Sequence, residues 1–238
     1  MQSDAVRPQT SFAARVMELR GKVQYRRIES TADLDAVLRL RYSAYLKEGA
    51  IEPSADERFV DRFDELDNYV NVGIYLKDKL VGSVRVFVLE RPGQTSPACD
   101  AFPEILPPLL AKGKRIIDPN RFVVDYQAAR MYPELAYVTL RTTVMASAHY
   151  NANFATAAVR AEHRAFYKRA FFAEVLCEPR TYPTLTKKLA LLLVDYENNR
   201  ERIVERGPYF DSTPEERAAV FGPRSEVSSA SDNMQSAA

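Results

Sequence analysis

The chain has 238 residues, 46% hydrophobic and 27% charged, with a formal net charge of +1. That is a globular composition with enough apolar material for one sizeable core. It excludes a global electrostatic pull toward nucleic acid, so any basic site must be a local patch, and no apolar run approaches the roughly 20 residues that span a bilayer.

Residues 1–9 are polar and expected to be disordered, and MQSDAVRPQT lacks a signal-peptide apolar core. Phe12, Val16 and Leu19 fall on one side of a short helix over 11–19. A first strand is predicted over 23–28, with Ser30 and Thr31 capping a helix to about residue 46. Residues 48–67 form a long acidic loop, a kind often functional in compact domains. Strands over 70–76 and 80–89 flank a Lys77-Asp78-Lys79 hairpin. Residues 91–97 are turn-rich, and the prolines of 102–110 allow only short helical turns.

Next comes a central strand over 115–125, RIIDPNRFVVD, interrupted by Asp118, Pro119 and Arg121. Proline removes a ladder donor and is rare inside a regular strand, so the interruption reads as a bulge that re-aims groups near a site, or as an edge strand with one surface ion pair. A helix over 133–150, a strand over 154–159, a helix over 161–169 and a strand over 171–177 follow. A strand over 189–194 and a helix over 195–206 complete the pattern. The expected organisation is a flexible or short helical segment 1–20, one domain over 21–210 and a disordered polar tail over 211–238. The order of elements predicts an α+β, α/β-like domain with a central mixed twisted sheet flanked by helices.

Several groups can carry chemistry. Arg41 and Tyr45 share a helix face at i,i+4, as a site or as a solvated helix end. Asp61-x-x-Asp64 suits a cation or an amino group, or is simply a solvated loop. Arg85, in Gly82-x-x-Arg85, faces outward or needs an anionic partner, because an unpaired buried charge is expensive. Arg160, Arg164 and Lys168 recur every four residues and suit a phosphate or an acidic partner, if they are not plain surface. His163 and Tyr167 are a candidate base and proton donor, though both residue types also serve packing. Cys99 and Cys177 form no metal or redox motif, so no metal site is expected and a reducing cytoplasm is the simplest location.

HRAFYKRAFF resembles the FYxxxGF segment late in the GNAT acyltransferase fold, with Ala170 in place of the usual glycine. The spaced set Arg41, Tyr45, Asp61-x-x-Asp64, Gly82-x-x-Arg85 and Asp118-x-x-Arg121-Phe122 is more specific. It resembles the charged signature of the acyl-homoserine-lactone (autoinducer) synthases, with Asp118 for Glu and Tyr45 for Phe. The Trp of that signature is missing, which argues against an adenosylmethionine-type amine. The phrases RYSAYLKEGAI, IDPNRFVVD, ARMYPELAYVTLR, AAVRAEHRAFYKR and CEPRTYPTLTKKLALLLVDY are similar to a sister group on the same fold, across roughly residues 23–210. These are the long-chain N-acyl amino acid synthases of the FeeM type.

The resemblance implies a GNAT-type fold and transfer of an acyl chain from acyl carrier protein to the α-amino group of an amino acid. Asp118 is then the expected base, with Asp61 and Asp64 binding the cationic amine. Arg41 and Tyr45 belong to the substrate site. Arg121 and Arg85 hold these carboxylates, Arg121 clamping Asp118, or they bind the substrate carboxylate. Backbone N–H groups near Val123 and Val124 are an oxyanion site, and Tyr167 protonates the leaving thiol. No glycine lies between Asp125 and Leu140, so the usual pyrophosphate loop is absent. That favours a phosphopantetheine arm on a carrier protein over acetyl-CoA, with no tightly bound cofactor and Arg160, Arg164 and Lys168 as the dock. The expected protein is cytoplasmic and free of transmembrane segments, touching membrane only transiently through its lipid product. The competing readings are an autoinducer synthase and a non-catalytic module on a GNAT scaffold that binds lipid or carrier protein.

Overall fold

The computed structural model describes residues 10–223. The expectations for residues 1–9 and 224–238 lie outside the described residues. In chain order the elements are α1 (Phe12–Arg20), β1 (Val23–Arg27), α2 (Thr31–Lys47), a 3-10 turn (Arg62–Glu65), β2 (Tyr69–Leu76) and β3 (Lys79–Leu89). Then come α3 (Pro97–Ala101), α4 (Leu106–Ala111), β4 (Ile116–Val124), α5 (Tyr126–Met131), α6 (Leu135–His149) and β5 (Phe154–Val159). The last are α7 (Arg164–Phe171), β6 (Glu174–Val175), β7 (Arg180–Thr181), β8 (Lys188–Asp195), α8 (Tyr196–Arg206) and α9 (Pro214–Phe221).

Local signals explain most boundaries. The side chains of Ser11, Ser30 and Asp195 accept from backbone N–H groups at the starts of α1, α2 and α8. Lys77 and Asp78 take φ of 49° and 59°, the left-handed pair that a tight hairpin between β2 and β3 requires. The strands form one sheet in the order β1-β2-β3-β4-β5-β8-β6, with β7 also on β8. Every pairing is antiparallel except β4 with β5.

β3 supplies both faces. Val84, Val86 and Val88 enter a core closed by α6, α8 and α9. Leu89 joins the opposite cluster with Phe102, Leu106, Ile116 and Tyr182, and Arg85 and Phe87 project on Leu89's side by strand alternation.

Two features of β4 position the site. Its ladder to β5 covers only Ile116↔Phe154 and Ile117↔Ala155, and ends as β4 reaches Asp118 and Pro119. Its ladder to β3 slips between Ser83 and Arg85, where Arg121 and Phe122 oppose Val84 alone. Arg121 has φ 51° there, so the interruption is a true bulge. Gly82 lies beside it: a Cβ would sit 3.1 Å from Thr139 Oγ1 and 3.3 Å from the Val123 carbonyl. Close approach of backbone and α6 explains this glycine.

Two expectations need correction. The predicted strand over 171–177 is instead the end of α7 followed by a two-residue strand. Phe171 is buried in the core as a helical residue, and Phe172 closes the helix at φ 56°, under the guanidinium of Arg202 at 3.9 Å. The tail expected from 211 folds as far as α9, whose Thr213 and Glu216 form a reciprocal cap. Its polar composition hides two anchors, Val220 and Phe221, which enter the core, and Glu216 takes a 2.7 Å bond from buried Arg141. α5 and β7 are too short to carry a periodic signal.

Candidate active site

The spaced charged residues converge. Arg85 makes a two-pronged pair with Asp61, 3.0 Å to each oxygen, and reaches Asp64 at 2.6 Å. Arg41 bonds Asp64 at 2.9 Å and Asn71 at 2.7 Å. Arg121 donates through Nε to Asp61 at 2.8 Å and through Nη2 to Asp61 and Thr184. Asn120 caps Arg85 Nε at 2.8 Å. The Arg121 guanidinium also lies over the rings of Phe59 and Tyr45, at 4.7 and 5.7 Å. Burial pushes the Asp61 carboxyl up, but the bonds from Arg85 and the charges of Arg121 and Arg85 outweigh it and hold its pKa at about 2.

This geometry corrects two assignments. Both oxygens of Asp61 already accept from arginines or the Phe63 N–H, so Asp61 is closed to a substrate amine, and Asp64 is held in the network by Arg41, Arg85 and the Asp61 N–H. Arg121 clamps Asp61, sixty positions away, rather than Asp118.

Asp118 is fully buried. Its Oδ1 accepts from the Thr156 hydroxyl, across the point where β4 and β5 part, while Oδ2 completes no hydrogen bond among the described residues. Burial raises its pKa, against the opposing influence of Thr156, Ser96, the Ala98 N–H and the Arg85 charge.

The gap between β4 and β5 is a cavity of about 490 Å³. It is lined by Pro119 to Val124 of β4 and Ala155 to Val159 of β5, and so crosses the sheet. On the α6 side its wall is apolar: Leu140, Val144, Phe166, Tyr167 and Phe171. On the α2 side it meets Tyr45, Arg121, Thr156, Tyr182 and Lys187. The candidate oxyanion residues Val123 and Val124 line it directly, and burial pushes the Tyr167 hydroxyl up to about 12. Asp118, Asp61, Asp64, Arg41 and Arg85 do not line the wall; Asp118 sits behind Thr156 and the other four behind Arg121 and Asn120.

The basic stripe is divided. Arg160 follows β5 as the cap of a 3-10 turn, pairs with Glu48 at 3.4 Å and Glu162 at 3.0 Å, and lines the cavity with His163. Only Arg164 and Lys168 share a helix, and Arg164 pairs with Glu178 at 3.4 Å. Sequence reasoning passed over Thr156, Asn120 and Tyr182. Thr156 was visible as the one hydroxyl in an otherwise apolar strand, FATAAV; Tyr182 carried no local signal.

The family model described as N-acyl amino acid synthase FeeM matches residues 36–195. No curated protein sequence matches the chain. Among solved structures, FeeM, an N-acyl amino acid synthase from uncultured soil microbes, superposes with TM-score 0.64 at 14% identity, over 77% of this chain and 96% of that one. The CoA-dependent acyl-homoserine lactone synthase BjaI, with MTA, gives 0.58 at 15% identity, over 89% and 99%. The AHL synthase LasI gives 0.54 at 15%, over 84% and 94%. The fold is that of the GNAT-type N-acyltransferases. The family match spans the whole set from Arg41 to the end of β8, and the chain belongs to the FeeM N-acyl amino acid synthase family, a family of acyltransferases.

Proposed function

We propose that this chain moves a long-chain acyl group from the phosphopantetheine thioester of an acyl carrier protein to the α-amino group of an amino acid. The observation that carries the reading is the cavity through the sheet, apolar on the α6 side and polar on the α2 side, with Thr156 and Asp118 at the crossing. An acyl chain suits the wall of Leu140, Val144 and Phe171, because burying it there removes apolar surface from water. The amino acid suits the wall of Tyr45, Arg121 and Thr156.

The α-ammonium group must shed a proton to attack. Asp118 takes it through the Thr156 hydroxyl, and its raised pKa makes it a stronger base than an exposed carboxylate. The amine nitrogen then bonds to the thioester carbonyl carbon, and the oxyanion faces backbone N–H groups beside Val123 and Val124. As the C–S bond breaks, Tyr167 gives its proton to the thiolate, and the second proton released from nitrogen restores that hydroxyl. The phosphopantetheine arm is substrate, and Arg164 and Lys168 favour an acidic carrier protein. Among the described residues no helix is long and apolar enough to cross a membrane.

Mass spectrometry of lipid extracts from cells overexpressing the chain tests the proposal, against an Asp118→Asn control. An N-acyl amino acid present only with the wild-type chain is expected. An acyl-homoserine lactone instead, or no acylated product, overturns it.

A further inference from the structure

Among the described residues, Tyr182 is the cavity-lining residue with a fully buried polar atom that has no hydrogen-bond partner. Its side chain is 2% exposed, and its hydroxyl has no hydrogen-bond partner among the described residues. A buried tyrosine O–H nearly always has one, because leaving it unpaired forfeits its bonds to water. The ring is firmly held. It packs with Phe102 and Leu189 in the core cluster on that face. The segment that follows is tied back by Arg121 to Thr184, by the Leu185 N–H to the Tyr182 carbonyl, and by the Thr186 N–H to Ala50. Tyr182 is therefore a fixed residue of the cavity lining, beside Arg121, Asn120 and Thr156, with its unpaired hydroxyl buried just behind the surface.

Charge points to what it meets. The cluster behind the wall holds three guanidinium groups, Arg41, Arg85 and Arg121, against two carboxylates, Asp61 and Asp64. Asp118 bonds none of the three; it bonds Thr156. Arg121 brings a guanidinium to the wall, and its Nη1 makes no hydrogen bond among the described residues, its bonds running through Nε and Nη2. An unpaired hydroxyl and a spare guanidinium N–H on one wall suit an anion with two acceptor oxygens.

We propose that Tyr182 and Arg121 together bind the carboxylate of the acceptor, making Tyr182 the residue that selects amino acids over simple amines. The inference rests on the function proposed above and names how the acceptor is held. One carboxylate oxygen accepts from the Tyr182 hydroxyl and the other from Arg121 Nη1. The α-amino group, one carbon away, is thereby turned toward Thr156.

The test is steady-state kinetics of Tyr182→Phe against wild type, with the amino acid found in the lipid product and with the amine that lacks its carboxylate. Removing an unpaired hydroxyl leaves shape intact, so thermal stability of the variant should equal or exceed wild type. The KM for the amino acid should rise about tenfold or more, as for loss of a hydrogen bond to a charged group. The KM for the acyl donor should stay the same, and the poorer turnover of the carboxylate-free amine should be equal in both proteins. An unchanged amino-acid KM overturns the inference, as does a fall in kcat alone, which would make Tyr182 a participant in the chemistry. If wild type acylates no amino acid, the proposed function falls first, and with it the acceptor this wall would hold.

Discussion

Arg85 and Asp61 face each other across the α2 side of the sheet with both hydrogen bonds at 3.0 Å and both side chains wholly removed from solvent. Arg85 gets there because β3 alternates, sending Val84 and Val86 to one core and Arg85 to the other face. Asp61 gets there because it caps the 3-10 turn that ends the acidic loop. Taking both charges out of water is costly, and the pair survives because Arg121, Arg41, Asn71 and Asn120 complete the network.

Breaking that network from one side should be severe. Asp61→Asn leaves Arg121 without its anion and Arg85 with Asp64 alone. It should lower unfolding free energy by about 3–5 kcal/mol, read from the denaturation midpoint in urea. A loss under about 1 kcal/mol would mean that the pair is solvated and of little consequence.

The two acids of the site should titrate in opposite directions. The folded pKa of Asp61, about 2, is below its ordinary 3.8. Its stabilisation, about 2 kcal/mol by linkage, is complete above pH 3.8 and lost as pH falls through about 2. The pKa of Asp118 is raised, so its neutral form favours the fold at low pH and that contribution is lost as pH rises through the raised value. Carboxyl carbon shifts followed by NMR from acid to neutral pH should place the Asp61 midpoint below that of Asp118; the reverse order would refute the account.

Thr156 should matter to chemistry more than to folding. Thr156→Val keeps the β-branched shape in β5 and cuts the link between Asp118 and the cavity. Acyl transfer should fall by about 10²-fold or more, while Thr156→Ser keeps most of it. Equal activity of the Val and Ser variants would show that Asp118 does not act through this hydroxyl.

Docking should depend on α7. Arg164→Glu together with Lys168→Glu reverses two charges on one helical face without touching the cavity wall. The KM for acyl carrier protein should rise several-fold at low salt, and the gap from wild type should close as ionic strength grows. Unchanged KM at low salt would place the dock elsewhere.

Much of this protein is settled by its sequence alone. The caps at Ser30 and Asp195, the hairpin at Lys77 and Asp78, and the bulge at Asp118 to Arg121 are local events. Each is governed by residues within a few positions, so each is legible in the string. The charged spacing from Arg41 to Arg121 is legible too, because it is a pattern of residue types in the string rather than a statement of who pairs with whom. Partnership is different. Asp118 and Arg121 are neighbours in sequence, yet the bulge sends them to separate partners, Thr156 on β5 and Asp61 in the acidic loop. Whether Asp61 and Asp64 are open or sheathed depends on which arginines the sheet and α2 bring to them. Tyr182 gains its interest only from what the fold fails to offer its hydroxyl. These matters are set by pairing between strands and loops tens of residues apart, where desolvation makes each charge take whatever partner tertiary structure supplies.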